Sequence, residues 1–400
     1  MVNTFEFAGI PVIRFGTGCI KTLPEIISEY GEKVLIITGG SFRESSTCEE
    51  LLSLLRKRSI IVFTESVQGE PSPDRVDKIT ARYRENLPEL VVAIGGGSVL
   101  DTGKAVSALL TKDCSVMNYL EGVGIGMVHD GEKVPFVAVP TTSGTGSEAT
   151  KNAVLSRVGA AGFKKSLRHE NFVPDMALID PELTVSCPPA VTAASGLDAL
   201  TQLLESYTST KASPLTDSLA LKGIEYVADS LIPVSTDEGY KLELRSKMAY
   251  ASLVSGITLA NAGLGIIHGL ASPIGGYFNI PHGVVCGTLL AEALALNIKY
   301  LQEQGTKDAD YYLRKYALVG IIMSNNQEEK KIGFSDDRDY YCQVLIDKLR
   351  EWVKDLEIPR LGEYGITVAD LDKIAKNAGN KNNPVRLDNE QIKNILRKRL

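Results

Sequence analysis

The sequence predicts a doubly wound α/β layer in the first half of the chain, followed by a domain built of helices alone. Three observations carry this. Short, continuous apolar runs alternate with helical stretches up to about residue 186. The most apolar of those runs end in loops of Gly, Ser and Thr. Beyond Pro188-Pro189 the alternation stops, and long periods rich in Ala, Leu, Glu and Lys take over. Four hundred residues exceed what one hydrophobic core usually supports, so two domains, 1–186 and 187–400, are expected.

In order along the chain, Val34-Leu35-Ile36-Ile37 reads as a strand ending at Gly39-Gly40, followed by a helix from about Ser46 to Lys57. Ile60-Ile61-Val62-Phe63 is the next strand, and Pro73 to Glu85 the next helix. Leu90-Val91-Val92-Ala93-Ile94 runs into Gly95-Gly96-Gly97-Ser98 and a helix to about Leu110. Phe136 to Val139 and Met176 to Ile179 are further strands. Apolar runs of this length suit parallel strands covered on both faces. In the second half, breaks at Gly275-Gly276 and Pro281 are expected to divide the helices, and Ser324 to Asp337 reads as a surface loop.

Composition narrows the class without naming a chemistry. Hydrophobic residues make up 44% and charged residues 23%, the balance of a folded globule. A formal net charge of −6 argues against nucleic acid or an anionic membrane surface as partner. No apolar run reaches about 18 residues, and Met1-Val2-Asn3-Thr4-Phe5 has no basic stretch leading into an apolar one. Neither a membrane span nor a secretion leader is expected. The six cysteines are scattered with no CxxC pair, so reduced thiols in the cytoplasm are expected.

Two loops carry the first chemical signal. Gly95-Gly96-Gly97-Ser98 opens a helix with Asp101 in its first turns. Glycines let a backbone approach a pyrophosphate, and a helix N-terminus offers free N–H groups and partial positive charge. A plain strand-to-helix turn would need one glycine; three with a serine favour phosphate at Gly96, Gly97 and Ser98, although the motif is not GxGxxG. Between Pro140 and Glu148 every residue is Gly, Ser or Thr, making Thr141, Thr142, Ser143, Thr145 and Ser147 candidate partners of phosphate, ribose and nicotinamide. A linker of that composition would not abut a buried strand. Two such loops at strand C-termini meet at one crevice.

The second signal is histidine. Four are present, and His268 and His282 share one largely apolar segment, each followed by glycine. A single histidine in an apolar helix is usually a hydrogen-bonded core residue. A pair across a turn can face one another from consecutive helices, as a metal requires. Asp198, on a helix that otherwise reads as buried, would complete the set, because an unpartnered carboxylate there carries a heavy desolvation penalty. Gln202 lies one turn further on the same face.

These segments together resemble the iron-containing (group III) alcohol dehydrogenases along nearly the whole chain. The likeness covers Gly95 to Ser98 with Asp101 and Lys104, the loop Pro140 to Glu148, Asp180-Pro181 and Gly196 to Ala199. It continues through Asn261 to Gly265, His268-Gly269, Pro281-His282-Gly283 and Asn382-Asn383-Pro384. The resemblance implies a dehydroquinate synthase-like architecture, with a dinucleotide-binding α/β domain, an all-α metal- and substrate-binding domain, and a divalent cation between them. It also implies cofactor contacts at Gly39, Gly40, Ser41, Glu70, Asp101, Lys165 and Leu183. In the family the metal is held by one Asp and three His, and Asp198, His268 and His282 match three of these. Gln202 stands at the fourth, and Ser272 where many members carry a proton-relaying histidine.

Those departures leave alternatives open. Gln offers a harder, weaker donor than imidazole. The site is Asp198, Gln202, His268 and His282 around Fe2+, a three-ligand site holding Zn2+ as in the related glycerol dehydrogenases, or a lapsed site. The implied activity is hydride transfer between a nicotinamide cofactor and a small alcohol or aldehyde, with the metal as Lewis acid. The proton would pass through Ser272, a ribose hydroxyl or water. NADP(H) is expected over NAD(H), because Thr38-Gly39-Gly40-Ser41 lacks a carboxylate to repel a 2′-phosphate and Arg43 lies close by. Family habit adds a homodimer. The competing functions are a maleylacetate-reductase-like or glycerol-dehydrogenase-like relative and a catalytically silent NADP-binding protein. A dehydroquinate-synthase-like lyase shares the fold, but the extra basic and histidine residues expected for a phosphorylated substrate are not evident in the sequence.

Overall fold

The computed structural model describes residues 4–324 and 337–400; the first three residues and the body of the expected loop between Ser324 and Asp337 lie outside them. In chain order the strands are β1 (Val12–Phe15), β2 (Lys33–Gly39), β3 (Ile61–Val67), β4 (Leu90–Gly95), β5 (Phe136–Pro140), β6 (Asn152–Arg157), β7 (Phe163–Arg168) and β8 (Met176–Ile179). Six form one parallel sheet in the order β1-β8-β5-β4-β2-β3. The chain leaves β2 for the β3 edge and then returns to β4 on the other side. Loops after β2 and β4 therefore flank a topological switch point, where ligands of open α/β sheets bind.

Both faces of this sheet are covered, which explains the unbroken apolar runs. Val34, Ile36, Val92, Ile94, Val137 and Val139 pack against Ile26 and Ile27 of α1 (Leu23–Tyr30). After the short α2 (Gly40–Arg43), α3 (Ser46–Lys57) adds Leu51 and Leu55 to that layer. Leu35, Ile37, Val91, Ala93 and Ala138 pack on the other side against Val76 and Ile79 of α4 (Pro73–Tyr83) and Leu100 and Leu109 of α5 (Gly97–Leu109).

Two elements had no clear signal. β1 is a short edge strand, largely exposed, and so lacks a buried pattern. β6 and β7 form a separate antiparallel hairpin with Leu155 opposite Lys165. β3 is longer than its apolar run, because Thr64-Glu65-Ser66 continues the edge pairing with β2.

From Pro189 onward the described residues are helical: α6 (Pro189–Tyr207), α7 (Pro214–Ser235), α8 (Leu242–Ala262), α9 (Ile266–Tyr277), α10 (His282–Gln304), α11 (Lys307–Met323), then Arg338–Asp355, Leu371–Asn377 and Asn389–Arg397. They share one core. α10 is long and apolar enough to cross a membrane, but 72% of its apolar window is buried in that core, as in a central helix of a globule. Gly275-Gly276 does not break a helix, contrary to expectation. Both lie inside α9, where a Cβ on Gly276 would come within 3.0 Å of the Phe163 backbone; the pair admits the β6–β7 hairpin. The break falls at Phe278 to Pro281.

The sheet and the helices are joined by the loop after β5. Gly146 has φ +60, and a Cβ there would stand 2.4 Å from the Gly256 backbone nitrogen on α8. Gly144 lies equally close to Ser195 on α6, where a Cβ would meet the serine Cβ at 2.6 Å. Neither contact leaves room for a methyl group. Gly146→Ala is expected to cost roughly 2–4 kcal/mol through left-handed strain and overpacking. Thermal unfolding beside Gly40→Ala, where a Cβ meets nothing within 4 Å, checks this; equal melting temperatures would contradict it.

Candidate metal centre and cofactor cleft

A cleft of about 590 Å3 lies between the sheet and the helices. Gly97, Ser98, Thr145 and Ser147 line one part of it. Asp198, Gln202, His268, Ser272 and His282 line another. Asp198 comes from the middle of α6, His268 from α9, and His282 is the first residue of α10. The glycine after each histidine sets the approach. A Cβ on Gly269 would lie 1.8 Å from the Gly379 carbonyl, and one on Gly283 would lie 2.3 Å from the Ala194 carbonyl on α6. Backbone-to-backbone packing thus brings α10 against α6 and seats α9 on the loop at Gly379.

In the cleft His268 Nε2 stands 3.3 Å and His282 Nε2 3.7 Å from Asp198 Oδ1. A fourth donor joins them: Cys286 Sγ lies 3.7 Å from both imidazole Nε2 atoms. The four donor atoms all fall within 4.8 Å of one another. Asp198 Oδ1 is buried and makes no hydrogen bond, and a buried carboxylate oxygen without a donor calls for a cation. Burial opposes charge on Asp198, but His282 and His268 outweigh it and hold its pKa at about 2. Burial pushes His282 down to about 4, leaving a neutral ring with a lone pair, and pushes the Cys286 thiol up to about 12. One carboxylate, two imidazoles and a sulfur suit a borderline divalent cation such as Zn2+ or Fe2+.

Glu205 completes the arrangement from behind. Its Oε2 lies 2.7 Å from His268 Nδ1, and its Oε1 accepts from the Ile267 amide at 2.6 Å. This fixes the ring so that Nε2 faces the cluster. Gln202 stands in the same wall as the three expected ligands. It lines the cleft, but its Oε1 already accepts from the Ser255 hydroxyl at 2.7 Å. Ser272 also lines the cleft and donates to the Lys164 carbonyl at 2.9 Å.

At the sheet end, Gly96 caps α5 without a side-chain hydrogen bond, so the helix begins with open N–H groups. The glycines there also serve packing: a Cβ on Gly97 would meet Thr145 at 2.5 Å, and one on Gly96 would meet Thr142 at 3.3 Å. The Thr141 amide donates to Gly95 at 2.9 Å, and the buried Ser143 hydroxyl has no partner. Gly39, at the end of β2, lies against Val99 beside Gly40 and Ser41 of α2. Leu183 packs into the apolar layer beside α1 and α3. Asp101 lines the cleft, but Ser147 donates to one carboxylate oxygen and the Val154 amide to the other. It therefore holds the loop while also lining the cleft. Lys165 is corrected. Its neighbours Lys164 and Ser166 line the cleft, and strand alternation turns Lys165 to the opposite face. Lys164 Nζ meets Glu70, the expected cofactor contact on the cleft wall, at 2.8 Å.

Cys286, Glu205 and Lys164 were missed. Cys286 lies four residues after His282 and Glu205 seven after Asp198, helical spacings that place each beside a candidate ligand. The buried Lys104 ammonium lies within hydrogen-bond distance of Ser147 O and Oγ, Thr150 Oγ1 and Asn152 O.

An open parallel sheet with a phosphate-ready helix at its switch point, facing a cation-seeking cluster, defines a metal-dependent nicotinamide oxidoreductase. Comparison with known proteins agrees. Residues 11–181 match the family model "Iron-containing alcohol dehydrogenase", and 192–400 match "Fe-containing alcohol dehydrogenase family, C-terminal". Long-chain-alcohol dehydrogenase 1 of Geobacillus thermodenitrificans is 34% identical over 372 residues, 92% of this chain and 88% of its own. Alcohol dehydrogenase 4 of Saccharomyces cerevisiae is 30% identical, covering 97% and 96%. The crystal structure of a 1,3-propanediol oxidoreductase superposes over 100% of both chains with a TM-score of 0.86 at 29% identity. The chain belongs to the iron-containing alcohol dehydrogenase family and is an oxidoreductase acting between a nicotinamide cofactor and alcohols or aldehydes.

Glu205→Gln would keep the shape behind His268 while removing its charge. Affinity for Zn2+, read by chelator competition, is expected to fall about 10–100-fold. Unchanged affinity would show that Glu205 does not orient the ring.

Proposed function

We propose that Asp198, His268 and His282 hold a divalent cation, with Cys286 as the fourth donor within reach, and that the cofactor lies along Gly96, Gly97, Ser98 and the Thr141 to Ser147 loop. The orphaned Asp198 oxygen carries this reading. When bound, the cation supplies Lewis-acid polarisation of the substrate oxygen, and the nicotinamide the hydride. The chain's own residues do the rest. Glu205 keeps His268 Nε2 aimed at the centre. Lys104 and Asp101 hold the loop that shapes the nicotinamide end. Ser272 keeps a lone pair for a substrate proton while its own hydrogen goes to Lys164.

The same proposal divides the chain at residue 186 and takes the protein as a cytoplasmic homodimer. The six cysteines are free, as a reducing compartment keeps them. β1 presents an apolar sheet edge, with Val12 61% and Phe15 40% exposed, to which a second copy would pair; the mass in solution decides it. NADP(H) is preferred because Gly39-Gly40-Ser41 ends β2 at the switch point without a carboxylate, and Arg43 is exposed nearby.

His268→Ala is expected to lose bound metal and at least about 1,000-fold of turnover. Metal analysis with a panel of alcohols and aldehydes reads both, and a fully active variant removes the site. For cofactor choice, kcat/KM should favour NADPH over NADH by about tenfold or more, one charge-assisted contact's worth. A clear NADH preference reverses that choice.

A further inference from the structure

The cleft is cationic on a scale that a neutral alcohol would not need. Five basic side chains line it: Lys151, Lys164, Arg168, Lys211 and Lys381. Three of them face carboxylates: Lys151 faces Glu170, Lys164 meets Glu70 at 2.8 Å, and Arg168 meets Glu121 at 3.5 Å. Among the described residues, Lys211 and Lys381 have no acidic partner. The remaining carboxylates in the wall are committed, Asp101 to the loop and Asp198 to the imidazole cluster. This happens in a chain whose formal net charge is −6.

Lys381 is exposed at the mouth of the cleft, but its backbone is held in one place. Its φ is +47, a left-handed conformation that glycine adopts freely and that costs a lysine on the order of 1 kcal/mol. The loop is fastened on both sides. Asn382 donates from its amide to the Leu264 carbonyl at 2.9 Å and accepts from the Thr210 amide at 3.0 Å, which also sets Lys211 beside it. Next to these, Asn383 and Asn297 exchange hydrogen bonds of 2.9 and 3.0 Å in the core. Asn380 pairs with the Leu387 backbone through both ends of its amide. The position therefore bears a side chain against backbone strain, at a fixed place. A Cβ on Gly269, the residue after His268, would lie 1.8 Å from the Gly379 carbonyl two residues before Lys381, so this loop stands at the metal end of the cleft.

We infer that Lys381, with Lys211 beside it, receives an oxyanion group on the substrate, which is then a short alcohol or aldehyde carrying a carboxylate, sulfonate or phosphonate. The inference rests on the oxidoreductase reading above. Two exposed ammonium groups without an acidic side-chain partner, at the same end of the cleft as the proposed cation, favour an anion there. A substrate with its oxygen at the metal and its anionic group at Lys381 satisfies both. The cofactor's phosphates share this oxyanion chemistry and are the competing source.

The test compares succinic semialdehyde and its phosphonate analogue with butanal, in the metal-loaded enzyme and in Lys381→Gly, which relieves the left-handed strain while removing the charge. The wild type should prefer the anionic aldehydes in kcat/KM, with the preference shrinking as salt rises. Lys381→Gly should lower the anionic-to-neutral ratio by about tenfold or more, chiefly through KM, with the Kd for the nicotinamide cofactor unmoved. A preference for butanal overturns the inference while leaving the oxidoreductase reading intact. A weakened cofactor Kd instead assigns Lys381 to the cofactor's phosphates. If no aldehyde turns over, the oxidoreductase reading fails, and calorimetry with succinate still decides this one: binding lost in Lys381→Gly supports it, and no binding to the wild type ends it.

Discussion

The structure turns on one buried carboxylate. Taking an ionised carboxylate into a helical core costs several kcal/mol unless partners surround it. Both imidazoles face Asp198 Oδ1, at 3.3 and 3.7 Å, yet that same oxygen makes no hydrogen bond. Three helices must come close for this to happen, and glycines permit it. Gly269 and Gly283 back against main-chain carbonyls, and a Cβ on Gly287 would stand 2.7 Å from Leu197, one residue before Asp198. The His-Gly pairs in the sequence are therefore packing features as much as ligand features.

A metal end is useful only at a fixed distance from the cofactor end, since small misplacements cost large factors in rate. The loop after β5 supplies that relation. It is wedged between α6 and α8 through Gly144 and Gly146, and gripped from the sheet side by Lys104. Burial lowers the Lys104 pKa to about 8, while nearby Asp101 and Glu148 favour its charge. Asp101 in turn binds Ser147 and the Val154 amide, so the loop and the β6–β7 hairpin share one anchor. Asp101 and Ser147 thus hold the loop as well as line the cleft.

Much of this was legible in the sequence, and the gaps have physical causes. Strands covered on both faces announce themselves as apolar runs, and β2, β4, β5 and β8 were visible for that reason. The β6–β7 hairpin was not, because Phe163-Lys164-Lys165-Ser166-Leu167-Arg168 buries little. Without the strand, the choice between Lys164 and Lys165 had no basis, since a slip of one residue changes the face. Asp198, His268 and His282 were found because charge and imidazole in apolar helices demand an explanation. Cys286 and Glu205 lay one and two turns away from them and passed as an ordinary thiol and an ordinary charge. Lys381 could not have been found, because its position depends on Asn382 meeting Leu264, more than a hundred residues earlier.

Two residues depart from the family pattern, Gln202 and Ser272, and a lapsed site would account for both. The surroundings argue otherwise. Gln202 is not idle in the wall; its oxygen is bound by Ser255, and a sulfur donor stands within reach of both imidazoles on the opposite helix. Ser272 fastens the hairpin whose Lys164 faces Glu70 across the cleft. A protein without a cation would gain by replacing Asp198 with an uncharged residue, because removing an unsatisfied buried charge is among the easier ways to stabilise a fold. Asp198, with Glu205 buried two turns behind it to aim His268, fits the divalent metal that the family implies.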